Sequence, residues 1–151
     1  MARPTTYSGS LVAIYLESAT TPGTYVKPCG LTQHTATFTK NMNEVDVPDC
    51  DDPDLPAWIE REVSSLDFSA SGSGVLAAES VETWWEAYNT TEPINARVYI
   101  GKPDNITTGH HWQGQVHVSQ FEVGGNRGER ANVTINIVSH GEMVMAANTT
   151  P

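Results

Sequence analysis

Side chains alternate with a period of two over much of this chain, and one stretch takes up the period of a helix instead. Ile94, Ala96, Val98 and Ile100 alternate with Asn95, Arg97 and Tyr99. Leu66, Phe68 and Ala70 alternate with Ser65, Asp67 and Ser69, and Thr35 to Thr39 interleaves Thr with Ala36 and Phe38. A period of two sends successive side chains to opposite faces, so each segment reads as a strand with one face buried. Leu11 to Leu16 is a continuous apolar run of strand length, and Tyr25-Val26 begins a short strand before Pro28. Trp112, Gly114, Val116 and Val118 share one parity while Phe121 and Val123 share the other. A bulge near Ser119-Gln120 is needed to keep both sets inward. With Gly124-Gly125-Asn126-Arg127-Gly128 as the turn and Val133, Ile135 and Ile137 returning, a long hairpin is predicted from about His111 to Ser139.

The exception is helical. Between Gly74 and Asn89, the residues Ala77, Val81, Trp84, Trp85 and Tyr88 follow the stripe of an amphipathic helix, with Glu79, Glu82 and Glu86 opposite. Ser73 is the expected N-cap, and Asn89 with Pro93 the stop. The stripe predicts Val81, Trp84, Trp85 and Tyr88 as core anchors that pin the helix to the sheet. The fold class is therefore mainly β: a barrel or sandwich of antiparallel strands with one helix. A chain of 151 residues supports one core, so a single domain is expected over 1–151, with a polar arm over 1–9 and a tail over 140–151 that shows no clear period.

Eighteen acidic side chains face eight basic ones, a net charge of −10. That balance excludes the basic footprint by which proteins grip phosphate backbones. The acid is concentrated from Glu44 to Glu62, where eight carboxylates meet Arg61 alone, leaving −7 there and −3 elsewhere. Asp49, Asp51 and Glu60 fall at positions 1, 3 and 12 of a calcium loop, but Pro53 and Asp54 occupy positions 5 and 6, where the sharp turn needs Gly. The segment 42–62 reads instead as a long acidic inter-strand loop stiffened by Pro48, Pro53 and Pro56. Asp49, Asp51, Asp52 and Asp54 carry its charge, and Leu55, Trp58 and Ile59 offer apolar anchors in a loop that is either solvated or docked on a neighbour. Arg97, Lys102, Arg127 and Arg130 are the candidate basic partners.

Catalytic signatures are missing: there is no GxSxG, HExxH or phosphate-loop motif, and Gly72-Ser73-Gly74 does not continue as a dinucleotide fingerprint. His110-His111, His117 and His140 have no carboxylate at zinc spacing, and Cys29 and Cys50 are too few for a disulfide framework. No enzyme activity, metal or cofactor is expected. No apolar run approaches the ~20 residues that cross a bilayer. The first residues lack the apolar stretch of a signal peptide, so the chain is expected to be made and kept in a cytoplasm.

The order of these parts resembles a known family. The polar arm from Ala2 to Ser8, the first strand after Gly9 and the loop from Met42 to Glu62 come first. The strand into Gly72-Ser73-Gly74, the helix with Trp84-Trp85 and the hairpin around Gly124-Gly125 follow. Together they look like the major tail tube protein of long, non-contractile-tailed phages and of the related gene transfer agents. The resemblance implies hexameric rings stacked into a hollow tube, with subunit sheets joined edge to edge around a lumen through which DNA passes without specific binding. It implies tape measure, terminator and tail-tip proteins as partners, no membrane, and a place in the virion after assembly in the host cytoplasm. Long half-polar strands agree with it, because their edges are a hazard in a monomer and are paired in a closed ring. Two other readings stay open. One is a different ring former, such as the inner tube of a type VI secretion system or a tail terminator. The other is a carbohydrate-binding β-sandwich with Trp112, beside His111 and Gln113, as a sugar platform.

Overall fold

The alternating segments form strands of one antiparallel sheet in the computed structural model, which describes residues 2–18, 21–102 and 108–148. In chain order these are β1 (Ala13–Glu17), β2 (Tyr25–Val26), β3 (Leu31–Val47), β4 (Trp58–Val75), helix α1 (Ala78–Asn89), β5 (Ile94–Ile100), β6 (His110–Gly124), β7 (Asn132–Ser139) and β8 (Val144–Ala147). The strands lie side by side as β2-β1-β5-β6-β7-β4-β3, with β8 paired to β6. The β6–β7 hairpin matches the sequence reading, and its register shifts between Val118 and Gln120, where the parity change demanded a bulge.

The sheet rolls up. Phe38 on β3 and Trp112 on β6 are three strand spacings apart, roughly 14 Å in a flat sheet, yet their ring centroids are 5.1 Å apart. One core fills the inside of the curl. It takes Ile14 and Leu16 from β1, Leu31 from β3, Phe68 and Ala70 from β4, Ala96 and Val98 from β5, Val116 and Val118 from β6, and Val133, Ile135 and Ile137 from β7. Helix α1 closes this side with Trp84 and Ala87. Its N-terminal end is tied down by Ser80, whose hydroxyl donates to the Cys29 carbonyl at 3.0 Å.

Three expectations are corrected. First, the helix begins at Ala78 after Ala77, not at Ser73. Ser73 to Val75 belong to β4, where ladders on both sides, to β3 and to β7, satisfy their backbone groups better than a helical turn would. The crossing is tight: a Cβ on Gly74 would lie 2.3 Å from the Gly30 carbonyl oxygen, and Gly30 itself has φ +96°. The stripe facing the sheet is Ser80, Trp84 and Ala87, so of the expected anchors only Trp84 is buried; Val81, Trp85 and Tyr88 are exposed. Small residues on either side of Trp84 let the helix approach the sheet closely, which rotates the apolar stripe partly into solvent.

Second, the segment 42–62 is not an unpaired loop. Met42 to Val47 pair with Val63 to Trp58, and only 48–57 remains as a tip. All three prolines fall inside that tip, so nothing interrupts the ladder below it. Leu66, expected on the buried face with Phe68 and Ala70, is 73% exposed because it lies beyond the body of the domain. Third, the tail pairs as β8 with β6, from Val144↔Gln113 to His110↔Ala147. Asn148 beyond it is buried, its side-chain oxygen 3.0 Å from His111 Nδ1 and its amide donating to the Lys102 carbonyl at 2.8 Å. The arm is also held, since the Tyr7 hydroxyl donates to the Thr108 carbonyl.

Candidate assembly surfaces

The β3–β4 hairpin is the dominant feature of the surface. Only its root, Ser69 to Val75 on β4, has neighbours on both sides; the rest runs out as two strands alone. From the pairing Asn41↔Ser65 to the tip this overhang spans about 20 Å, at ~3.3 Å per residue. On the side continuous with the core it exposes Leu66, Met42, Val63 and Ile59, interrupted by Arg61, whose Nε donates to Glu44 Oε1 at 3.0 Å. Trp58 is 87% exposed beside the tip. Exposed apolar side chains gathered on one side of a two-stranded extension, even with an ion pair among them, mark a surface that another molecule covers. At its root Phe38 packs on Phe68, with centroids 4.8 Å apart, and a groove between Phe38, Leu66, Phe68 and Met143 opens there.

The tip carries the acid. Asp49 Oδ1 accepts from the backbone N–H of Asp51 at 2.8 Å and of Asp52 at 3.4 Å, and Asp52 Oδ1 accepts from Asp54 N–H at 3.3 Å. These carboxylates shape the turn as Asx-type caps. Leu55, Trp58 and Ile59 are all exposed, as the anchor reading requires. Among the described residues the only ion pair is Arg61–Glu44, so no tip carboxylate is neutralised inside the chain.

The candidate basic partners are scattered. Arg127 and Arg130 sit in the β6–β7 turn, next to Asn132, which pairs with Val75 at the far end of β4. The tip and this turn are therefore at opposite ends of β4, roughly 55 Å apart along an ideal strand. Cys50 lies in the tip and Cys29 near the opposite end, and both are free and exposed. Lys102 is exposed after β5. Arg97 is engaged: it stacks 4.1 Å over the Tyr25 ring and donates to Gln113 at 3.1 Å and to Tyr99 at 3.0 Å. Burial pushes the Tyr25 phenol up, and Arg97 offsets part of that rise.

On the side of the sheet away from the core the pattern is different. Thr35, Thr37, Thr39 and Asn41 of β3 lie opposite Ser71, Ser69, Asp67 and Ser65 of β4. Thr134 and Asn136 of β7 and Gln120 and Glu122 of β6 continue the same side. This hydroxyl-and-amide face was the part least legible in the sequence, where Thr35 to Thr39 signals only that one side is polar. Trp112, the would-be sugar platform, has the opposite orientation: it packs on Phe38 and the core, which removes the feature that motivated the carbohydrate reading.

Over residues 6–145 the sequence matches the phage tail tube protein family. The chain belongs to that family. Its role as a tail tube protein is structural. The fold agrees at low sequence identity. A chain of the tail of an empty gene transfer agent particle, refined helically with C6 symmetry, superposes with a TM-score of 0.76 at 19% identity, covering 94% of this chain and all of that one. The SPP1 tail tube superposes at 0.67 with 10% identity, over 95% of this chain and 81% of its own. A chain from the anti-feeding prophage baseplate gives 0.60 at 9% identity, over 97% and 98% respectively. No curated protein matches the chain by sequence. Tail tube family members are components of virion tails, which places this chain in a virion.

Proposed function

We propose that the chain assembles into six-membered rings that stack into a hollow tail tube, and that DNA passes through this tube to the host. The observation that carries the reading is the overhanging hairpin. An exposed apolar strip and an un-neutralised acidic tip are unstable features in a monomer and natural ones where a second copy covers them. The sixfold symmetry of the gene transfer agent tail that shares the fold supports the ring number. Within a ring, the free edges of β3 and of the β2 end of the sheet are the surfaces available for edge-to-edge pairing. Between subunits, the tip reaches a neighbour through Leu55, Trp58 and Ile59, with Asp49, Asp51, Asp52 and Asp54 facing basic groups. Arg127 and Arg130 fit that role best, because they stand exposed at the opposite end of β4 from the tip. Arg97 fits least, being held by Tyr25, Gln113 and Tyr99. The same reading makes the chain non-enzymatic, built in the host cytoplasm, and joined at the tube ends by a terminator, a tail-tip protein and an internal tape measure.

Negative-stain microscopy of the concentrated purified protein tests the assembly. Hollow tubes with sixfold end views are expected, and a strictly monomeric species at all concentrations refutes the proposal. Rings that never stack would favour a terminator instead.

A further inference from the structure

His117 and His140 stand 23 residues apart in the chain, yet the fold brings their rings together. His117 lies on β6 between the buried Val116 and Val118, so its side chain points away from the core. His140 directly follows β7, and its backbone N–H donates to the Gln115 carbonyl at 2.7 Å. His117 Nε2 is 3.3 Å from His140 Nδ1, with ring centroids 5.1 Å apart and ring planes at 85°. None of the surfaces described so far uses this pair. We propose that His117 Nε2 and His140 Nδ1 bind one divalent transition-metal cation of the Zn²⁺, Ni²⁺ or Cu²⁺ class. The inference stands on the single chain and does not depend on the tube reading.

The spacing is that of two ligands on one ion. Zn–N bonds of about 2.0–2.1 Å that meet at a tetrahedral angle place two nitrogens about 3.3 Å apart, and the centroids of their rings about 5.2 Å apart. A straight N–H···N hydrogen bond at the same nitrogen separation would hold the centroids about 5.6 Å apart. The two rings are therefore bent toward a common point, and aiming both lone pairs at it needs little rearrangement. For an ion to bind, the proton between the rings moves to the far nitrogen of the ring that carries it. Both imidazoles then stay neutral, and each gives one lone pair.

The surroundings favour the same reading. His117 is held in the β6–β7 ladder opposite Val138, and the His140 backbone is bonded to Gln115, so binding orders only two rings. His117 is half-buried and His140 exposed, which leaves an entry path. The net charge of −10 draws cations to the surface. Imidazole nitrogens select zinc, nickel and copper, whereas calcium and magnesium require oxygen ligands. Among the described residues no third His, Cys, Asp or Glu joins a metal-holding cluster, so water fills the remaining positions. The affinity falls below that of a four-ligand site, to a Kd of about 10⁻⁶–10⁻⁴ M. Bound there, the ion clips β6 to the start of the turn that leads from β7 into β8. Local spacing in the sequence could not disclose this pair, because its members come from different strands.

Calorimetric titration with ZnCl₂ tests the site, using the tag-free chain with Cys29→Ser and Cys50→Ser to remove the exposed thiols as competing ligands. One Zn²⁺ per chain is expected. His117→Gln and His140→Gln should each weaken binding at least about tenfold. His110→Gln should leave it unchanged, and millimolar Mg²⁺ should not compete. In nitrogen-15 spectra of the chain with both histidines present, sub-stoichiometric Cu²⁺ should broaden the amide signals of 116–118 and 139–141 first. That measurement decides the point if the histidine variants fail to fold. Zinc binding that persists in both variants, broadening centred elsewhere, or no binding at millimolar Zn²⁺ overturns the proposal.

Discussion

Truncating two adjacent tryptophans separates the two possible orientations of α1. Trp84 is 1% exposed and Trp85 is 52% exposed, although both lie on the apolar stripe read from the sequence. Removing a fully buried Trp costs about 3–5 kcal/mol. The indole N–H of Trp84, however, is buried without a hydrogen-bond partner, and deleting an unpaired donor recovers part of a desolvation cost of about 1–3 kcal/mol. Trp84→Ala should therefore fall near the low end, at about 3 kcal/mol, a large share of a typical stability of about 5–15 kcal/mol. For a chain of this size that corresponds to a drop of about 6–12 °C in Tm. Trp85→Ala loses chiefly its contact with Tyr88, at 5.8 Å between centroids, and should cost about 1 kcal/mol. Trp84→Phe keeps most of the ring and removes the N–H, so it should cost less than Trp84→Ala. Urea denaturation of the dilute monomer, followed by far-ultraviolet circular dichroism, measures all three, with unchanged m-values confirming that only stability moved. Equal losses for Trp84→Ala and Trp85→Ala would refute the rotated packing of the helix.

Three further outcomes are expected. Burial and the Lys27 charge hold the His34 imidazole below its usual range, so the folded state takes up its proton later than the unfolded chain. Stability from this group is complete above the unfolded value of about 6.5 and is lost as pH falls through the folded value; His34→Gln should flatten the Tm-against-pH curve below neutrality, and an unchanged curve contradicts this. A Cβ at Gly114 would lie 2.4 Å from Met143 Sδ and 2.7 Å from the Glu142 carbonyl, so Gly114→Ala should displace the 140–143 loop and speed amide exchange across β8, which hydrogen exchange reads directly. Deleting Asp49 to Pro56 should leave a folded monomer, by circular dichroism, that builds no tubes by microscopy; normal polymerisation would show the tip to be a solvated surface feature.

What the sequence disclosed followed from periodicity. The strands around Val98, Val116 and Ile135 announce themselves because one parity is apolar and the other polar, and the bulge beside Ser119 follows from a parity switch. Boundaries failed where tertiary pairing overrode local signals. Ser73 is a good N-cap by composition, yet two flanking strands claim its backbone. The burial of Trp84 over Trp85 depends on Ser80 and Ala87, a polar and a small residue that carry no apolar signal. The acidic density of 44–62 masked a ladder, because strands exposed on both faces need no apolar side, and charge there does not argue against pairing. The candidate surfaces were half legible: Leu55, Trp58 and Ile59 stood out against carboxylates, whereas the hydroxyl face depends on the register between β3 and β4, which one strand alone does not reveal.

The unequal support along the β3–β4 hairpin has a kinetic consequence. A two-stranded ribbon without a third strand is marginal in water. Amides near Val45 and Glu60 should therefore open at low free energy, while those of Ser71 and Gly72, enclosed between β3 and β7, should exchange only with the whole domain. Neighbours in an assembly stabilise the ribbon, so starting a new tube requires several ribbons to order together, whereas lengthening an existing end orders each one against a surface already formed. Polymerisation should then show a lag that preformed ends abolish, which keeps free subunits soluble until a template is present.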